Sequence, residues 1–167
     1  MRKSIVLPVL IALVAGCSEQ PTAMGPMDDI GVQTDGASIT ASATGSGIIL
    51  SRGRAFTFEA NTDASGITTG NAQLSFSGPE TVKGHVAIDC LVVDGNQATM
   101  SGHITSVHPP VIPGAFVGLP VWFRVVDKGE PPATDEITNV LFANAPSCDV
   151  DAELDLFPIE AGNVQVH

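Results

Sequence analysis

The residue best placed for covalent chemistry is Cys17, which closes the run Leu13-Val14-Ala15-Gly16-Cys17. A basic start, Arg2 and Lys3, precedes an apolar stretch over residues 5–15, and the two residues before the cysteine are small. This order is typical of a secretory signal segment that a peptidase removes. The apolar stretch is too short to span a bilayer, which takes about 20 residues. We therefore predict a cleaved signal peptide over residues 1–16.

The run that ends in Cys17 resembles the lipobox of bacterial lipoproteins. The resemblance implies that the thiol is diacylated, that the chain is cut before Cys17 and that the new amino group is acylated. Such chains, at about 0.8 kcal/mol per buried CH₂, anchor a protein stably. Ser18 follows where an aspartate would favour the inner membrane, so we expect a cell-envelope protein, anchored by lipid to the periplasmic or surface face of the outer membrane. A plain secretory signal cut before Cys17 is the alternative.

The other two cysteines, Cys90 and Cys148, remain available for a crosslink. In an oxidising compartment such a pair most simply forms a disulfide, whereas two separate buried thiols are the alternative. A metal site would need more cysteines, or histidines at ligand spacing. We expect neither a metal nor a cofactor.

Histidines and acidic residues are the other candidates for a metal site. His85 and His103 are predicted on the outward face of a hairpin, about 7–8 Å apart, which is too far without a third ligand. Acidic residues recur at every second position from Asp149 to Asp155, which favours a solvated edge strand over a calcium loop. A second acidic cluster, between Asp127 and Glu136, is expected to be solvated as well.

The composition excludes some functions and favours one fold class. Lys and Arg number 7 against 18 Asp and Glu; without Arg2 and Lys3 the balance is 5 to 18, a charge near −13. Such a charge argues against a nucleic-acid partner. With 17 Gly and 12 Pro among short apolar segments, the pattern indicates many turns and an all-β domain.

Period-two alternation predicts the strands. Phe56 and Phe58 share one face of a strand, and Trp122 is expected to point outward from another. An outward Trp122 beside Arg124 could stack a sugar or a partner, although one exposed Trp is usually edge packing. Residues 17–36 read as the lipidated cysteine with a flexible tether, and residues 37–167 as one domain. We predict a single antiparallel β-barrel or β-sandwich of about eight or nine strands, the last of them over residues 160–166.

One hairpin, over residues 81–107, is the most informative. Val86, Ile88, Cys90 and Val92 alternate on one face, and the apolar face resumes after Asp94-Gly95-Asn96. Parity favours a three-residue loop that pairs Val92 with Ala98, or else a two-residue turn with a bulge. Its first strand is also apolar on the second face, which places it centrally in the sheet.

Several stretches resemble a family of uncharacterised secreted bacterial β-proteins. They are Phe56-Thr57-Phe58, residues 84–102, residues 123–130 and Ala161-Gly162-Asn163-Val164-Gln165-Val166. Asp89 and Lys128 depart from the commoner pattern. The resemblance implies a β fold and the Cys90–Cys148 pairing, and it implies no activity.

No catalytic motif stands out, so we expect a protein that is not an enzyme. The first hypothesis is an envelope lipoprotein that attaches to the membrane through Cys17 and binds or spaces an envelope protein. The alternative is a carrier of a small apolar ligand, with a lipocalin-like or cyclase-like barrel. Its cavity would be lined by Phe56, Phe58, Phe76 and Met100. A deep dry cavity favours the carrier, and a filled core with a flat patch favours the binding module.

Overall fold

A computed structural model of the protein describes residues 38–109, 116–143, 147–148 and 154–167. Cys17, the predicted signal peptide and the predicted tether lie outside these residues. The described part contains ten strands. They are β1 (Ile39–Ile49), β2 (Arg54–Asp63), β3 (Thr68–Phe76), β4 (Val82–Asp94), β5 (Gln97–His108), β6 (Pro120–Val126), β7 (Glu136–Thr138), β8 (Leu141–Phe142), β9 (Leu156–Pro158) and β10 (Ala161–Val166).

The strands form one curled antiparallel sheet, a half-barrel, which confirms the predicted fold class. Its order is β10-β1-β2-β3-β4-β5-β6-β7-β9, and β8 pairs with β6 beside this path. Consecutive strands from β1 to β7 are neighbours, so the architecture is a meander in which β10 returns to β1. The strand predicted to be central, β4, lies in the middle of the order.

Alternation along the strands fills the concave side of the sheet. Phe56 and Phe58 of β2 are buried while Thr57 between them is exposed, as predicted. Phe58 meets Phe123 of β6 edge to face, with ring centroids 5.6 Å apart. Because β2 and β6 are not paired in the sheet, this contact joins opposite walls of the curl.

The β4–β5 hairpin has a two-residue turn with a bulge, which was the predicted alternative to a three-residue loop. Its register therefore differs from the pairing of Val92 with Ala98 that the three-residue loop would give. Asp94 pairs with Gln97 across a two-residue turn, and a bulge interrupts the ladder between Ile88 and Cys90. A bulge inserts one extra residue and reverses the parity of the strand beyond it. The expectation that Val92 faces the core is therefore wrong. Val92 is 47% exposed, and the buried side chain is that of Leu91.

Two carboxylates attach the free side of β10 to the connection between β6 and β7. Oδ2 of Asp135 accepts the Val164 N–H at 2.8 Å, and Oδ2 of Asp127 accepts the Val166 N–H at 3.1 Å. The expectation that this acidic cluster is solvated is wrong for Asp135, which is 5% exposed. The physical reason is that unpaired N–H groups of a strand need acceptors, and these carboxylates supply them.

Candidate functional site

An apolar cavity of about 410 Å³ lies at one end of the curled sheet. It is bounded by the end of β3, the start of β4, the end of β5 and the start of β6. Among the residues that the structure describes, all those that line it are apolar or glycine: Leu74, Phe76, Val82, Gly84, Val86, Ile104, Val107, Phe116, Val121, Val140 and Phe142.

The local sequence explains why the cavity opens at this end. Val82 and Val86 of β4 point inward on alternate residues, and the residue between them on that face is Gly84. A Cβ built at Gly84 would meet no atom within 4 Å. Where a larger side chain would fill the space between the walls, this glycine leaves it empty.

Aromatic and aliphatic side chains form one side of the cavity. The rings of Phe116 and Phe142 stack with centroids 6.0 Å apart, and both residues line the cavity. Phe142 is nevertheless 62% exposed, and the nearby chain segment carries Val117 at 51% and Leu119 at 40%. Large exposed apolar side chains gathered in one place commonly mark a site of interaction.

The cavity shares only one residue with the set predicted from the sequence. Phe76 lines it, Phe56 lines a narrow cleft that adjoins it, and Phe58 packs in the filled part of the core. Met100 is completely buried there. The four predicted residues lie on the inward face of their strands, as expected. Phe56, Phe58 and Met100 nevertheless lie outside the end of the half-barrel at which the cavity is found.

Arg54 is a cation on the inward face of β2 and was not singled out by the sequence analysis. It pairs with Phe76 across the β2–β3 ladder, and its guanidinium carbon lies 5.3 Å from the centre of that ring. Nη1 donates a hydrogen bond to Oδ1 of Asn139. Burial, and secondarily the charge of Arg52, lower the pKa of Arg54 from its ordinary value. The available signal was parity, because Arg54 shares the face of Phe56 and Phe58.

The two cysteines other than Cys17 form the predicted disulfide. Cys90 of β4 is bonded to Cys148, with Cα atoms 5.9 Å apart. Cys148 is buried, and the neighbouring Ser147 donates its N–H to Oγ of Ser101 on β5 at 3.1 Å. The crosslink and this hydrogen bond thereby hold residues 147 and 148 against the convex face of the sheet.

Trp122 lies on that convex face, as predicted from its parity, but it is not an exposed stacking platform. It is 6% exposed and pairs with Ser101, which is itself paired with Cys90. A role for Trp122 in stacking a sugar or a partner therefore has no exposed surface to use.

The histidines and acidic residues considered as metal ligands are spread over the described surface. Nδ1 of His103 lies 3.3 Å from Oδ2 of Asp89, the residue at the bulge, whereas His85 pairs with Ser106. Of the alternating acidic run, Asp155 is described, and residues 149, 151 and 153 lie outside the described residues. In the described ranges, no group of three His, Cys, Asp or Glu side chains is arranged to hold a metal ion.

A second depression, of about 450 Å³, lies on the opposite face of β10, β1 and β2. Polar side chains dominate its lining, including Thr44, Ser46, Glu59, Asn163 and Gln165. Such a lining is well hydrated and offers little apolar surface to a ligand. The apolar cavity is thus the stronger candidate site.

Within the described ranges, no helix is long and apolar enough to cross a membrane. Comparison of the chain with protein-family models, with curated proteins and with solved structures found no match.

Proposed function

We propose that the β domain is a non-catalytic module that binds a small apolar ligand in the cavity between β3, β4, β5 and β6. The observation that carries the proposal is a space of about 410 Å³ whose described lining residues are all apolar or glycine. Sites for small molecules are typically clefts of about 300–1,000 Å³ with mostly hydrophobic walls.

The energetics of such a cavity favour a ligand over water. A water molecule needs two or more polar partners to be held in a cavity, and these walls offer apolar side chains. Transfer of hydrocarbon into an apolar site contributes about 25 cal/mol per Å² of surface removed from water. An apolar ligand would also cover part of the exposed Phe142 ring.

The lining also supports binding rather than catalysis. Catalysis by proton transfer or nucleophilic attack needs a titratable or nucleophilic side chain within reach of the substrate. The eleven described residues around the cavity include none. Such walls can select a ligand by its shape and its apolar surface.

The proposal includes placement at the cell envelope through acylated Cys17. Its support is the signal pattern that ends at Cys17 and the Cys90–Cys148 disulfide, since disulfides persist in oxidising compartments. The test is the intact mass of protein purified from host membranes. We expect residues 17–167 plus acyl chains, with two thiols that are alkylated only after reduction. An unacylated product would contradict this placement.

The ligand-binding proposal is tested with N-phenyl-1-naphthylamine, an uncharged probe whose fluorescence rises in apolar surroundings. We expect saturable binding by the full chain and its loss in Gly84→Leu, because the new side chain would enter the empty space. Gly84→Ala is the matched control, since it adds only one methyl group to the same position. Absence of binding by the unsubstituted protein, or equal binding by Gly84→Leu, would overturn the proposal.

A further inference from the structure

Arg54 is a charged side chain on an otherwise apolar inward face. Along β2 the inward positions are Arg54, Phe56, Phe58 and Ala60, and the last three are buried. A cation on the core-facing side of a strand is costly unless something compensates its charge. A compensating group near Arg54 is therefore expected.

The Arg54 side chain lines a narrow cleft that adjoins the apolar cavity. The cleft and the cavity share three lining residues, Leu74, Phe76 and Val140. The Phe76 ring belongs to both, and the Arg54 guanidinium carbon is 5.3 Å from its centre. A ligand in the cavity would thus have a cation next to one end of it.

The charge of Arg54 is not balanced by the part of the chain that the structure describes. The ion pairs there join Lys128 to Glu136 and Asp89 to His103, and no carboxylate pairs with Arg54. Its one hydrogen-bond acceptor among the described residues is the side-chain oxygen of Asn139. A guanidinium has five N–H donors, so donors remain for an incoming group.

The surroundings also make the unbound cation unfavourable. Burial, and then the positive charge of Arg52, lower the pKa of Arg54. In a chain whose formal charge is −11, two neighbouring arginines with no described carboxylate partner are an unusual concentration of positive charge. A bound anion would offset both the desolvation and the repulsion between the two arginines.

We propose that the ligand is a single-chain amphiphile with a carboxylate head group, that is, a long-chain fatty acid. The inference rests on the proposed function and assigns the polar end of the same site. The hydrocarbon chain occupies the apolar cavity, and the carboxylate accepts hydrogen bonds from Arg54. A carboxylate suits a guanidinium because the two planar groups can form paired, charge-assisted hydrogen bonds.

The test measures the affinity of the full chain for dodecanoate and for dodecanol, which share a hydrocarbon chain and differ in head group. We expect dodecanoate to bind at least about tenfold more tightly, as an added charge-assisted hydrogen bond implies. Arg54→Gln should remove this preference, and Arg54→Lys should keep part of it. Lys83→Gln is the matched control, because it also removes one positive charge but from an exposed side chain that lines neither the cleft nor the cavity.

The outcomes separate this inference from the proposed function. Equal affinity for the two ligands, with both excluded by Gly84→Leu, would overturn the fatty-acid assignment and leave apolar binding in place. Binding of neither ligand by the unsubstituted protein would overturn both. Should Arg54→Gln not fold, the affinities of the unsubstituted protein and of Arg54→Lys for the two ligands still test the fatty-acid assignment.

Discussion

The substitution Asp135→Asn tests how the two sides of the half-barrel are joined. The Asp135 carboxylate is 5% exposed and accepts two backbone N–H groups, from Lys128 at 2.9 Å and from Val164 at 2.8 Å. Asparagine has nearly the same shape but only one acceptor oxygen. One of the two N–H groups must therefore face an amide NH₂ instead of an acceptor.

The expected loss of stability follows from these contacts. A hydrogen bond to a charged group contributes about 1.5–3 kcal/mol, and a buried donor left without a partner costs about 1–3 kcal/mol. Because Val164 is 1% exposed, water cannot replace its lost partner. We expect Asp135→Asn to lower the free energy of unfolding by about 2–4 kcal/mol.

Denaturant unfolding measures this free energy, and amide hydrogen exchange reports on the Val164 N–H itself. The matched control is Asp94→Asn, since Asp94 is exposed at the β4–β5 turn. We expect the control to change stability by less than about 0.5 kcal/mol. A similarly small effect of Asp135→Asn, with unchanged exchange at Val164, would refute the idea that carboxylates secure β10.

Three further predictions concern the disulfide, a turn and a close strand contact. Replacing Cys90 and Cys148 by Ser should lower stability by about 4 kcal/mol, the entropy of the loop that they close, as denaturant unfolding would measure. Hydrogen bonds, first from the Ser65 side chain and then from the Ile67 N–H, lower the pKa of Asp63. The stability that Asp63 contributes to the fold is therefore present above its unfolded-state pKa and is lost as the pH falls through its folded-state pKa. Ser65→Ala should raise that pKa, as an NMR titration of the carboxyl group would show. Gly102→Ala should destabilise the fold strongly, since its Cβ would lie 1.9 Å from a carbonyl oxygen of the paired strand.

Each of these predictions has a control or a contradicting result. For Gly102→Ala the control is Gly84→Ala, whose Cβ meets open space and should leave the unfolding midpoint nearly unchanged. An unfolding midpoint that is the same with and without reductant would contradict the disulfide prediction. An Asp63 pKa that is the same with and without the Ser65 hydroxyl would contradict the prediction that this hydroxyl stabilises the charged carboxylate.

Alternation in the sequence was sufficient to predict the sheet and most of its inward-facing residues. Phe56 and Phe58, for example, are inward because the strand has a period of two and the residue between them is polar. The final strand, predicted over residues 160–166, is observed as Ala161–Val166.

The bulge at Asp89 could not be located from parity alone. A three-residue loop and a bulged two-residue turn both accommodate the sequence on each side of the hairpin. The one hint was that Leu91 and Val93 are apolar on what an unbroken strand would make the outer face.

The candidate site was harder to predict than the fold, because a cavity arises where strands fail to fill space. Its position depends on Gly84 and on the curl of the sheet, which bring β3, β4, β5 and β6 together at one end. Likewise, the role of Asp135 depends on the proximity of β10, which is distant in sequence. The inward position of Phe76 and the parity of Arg54 were readable in advance.

The most direct test of the central claim is a titration of methyl-labelled protein with dodecanol, followed by NMR. Occupation of the cavity predicts saturable shifts of the Val86, Ile104 and Val121 methyl signals, because these residues line it. The Val164 methyl signals, from a buried residue that does not line the cavity, should not move. Shifts that never saturate, or that are as large at Val164 as at Val86, would contradict the assignment of this cavity as the ligand site.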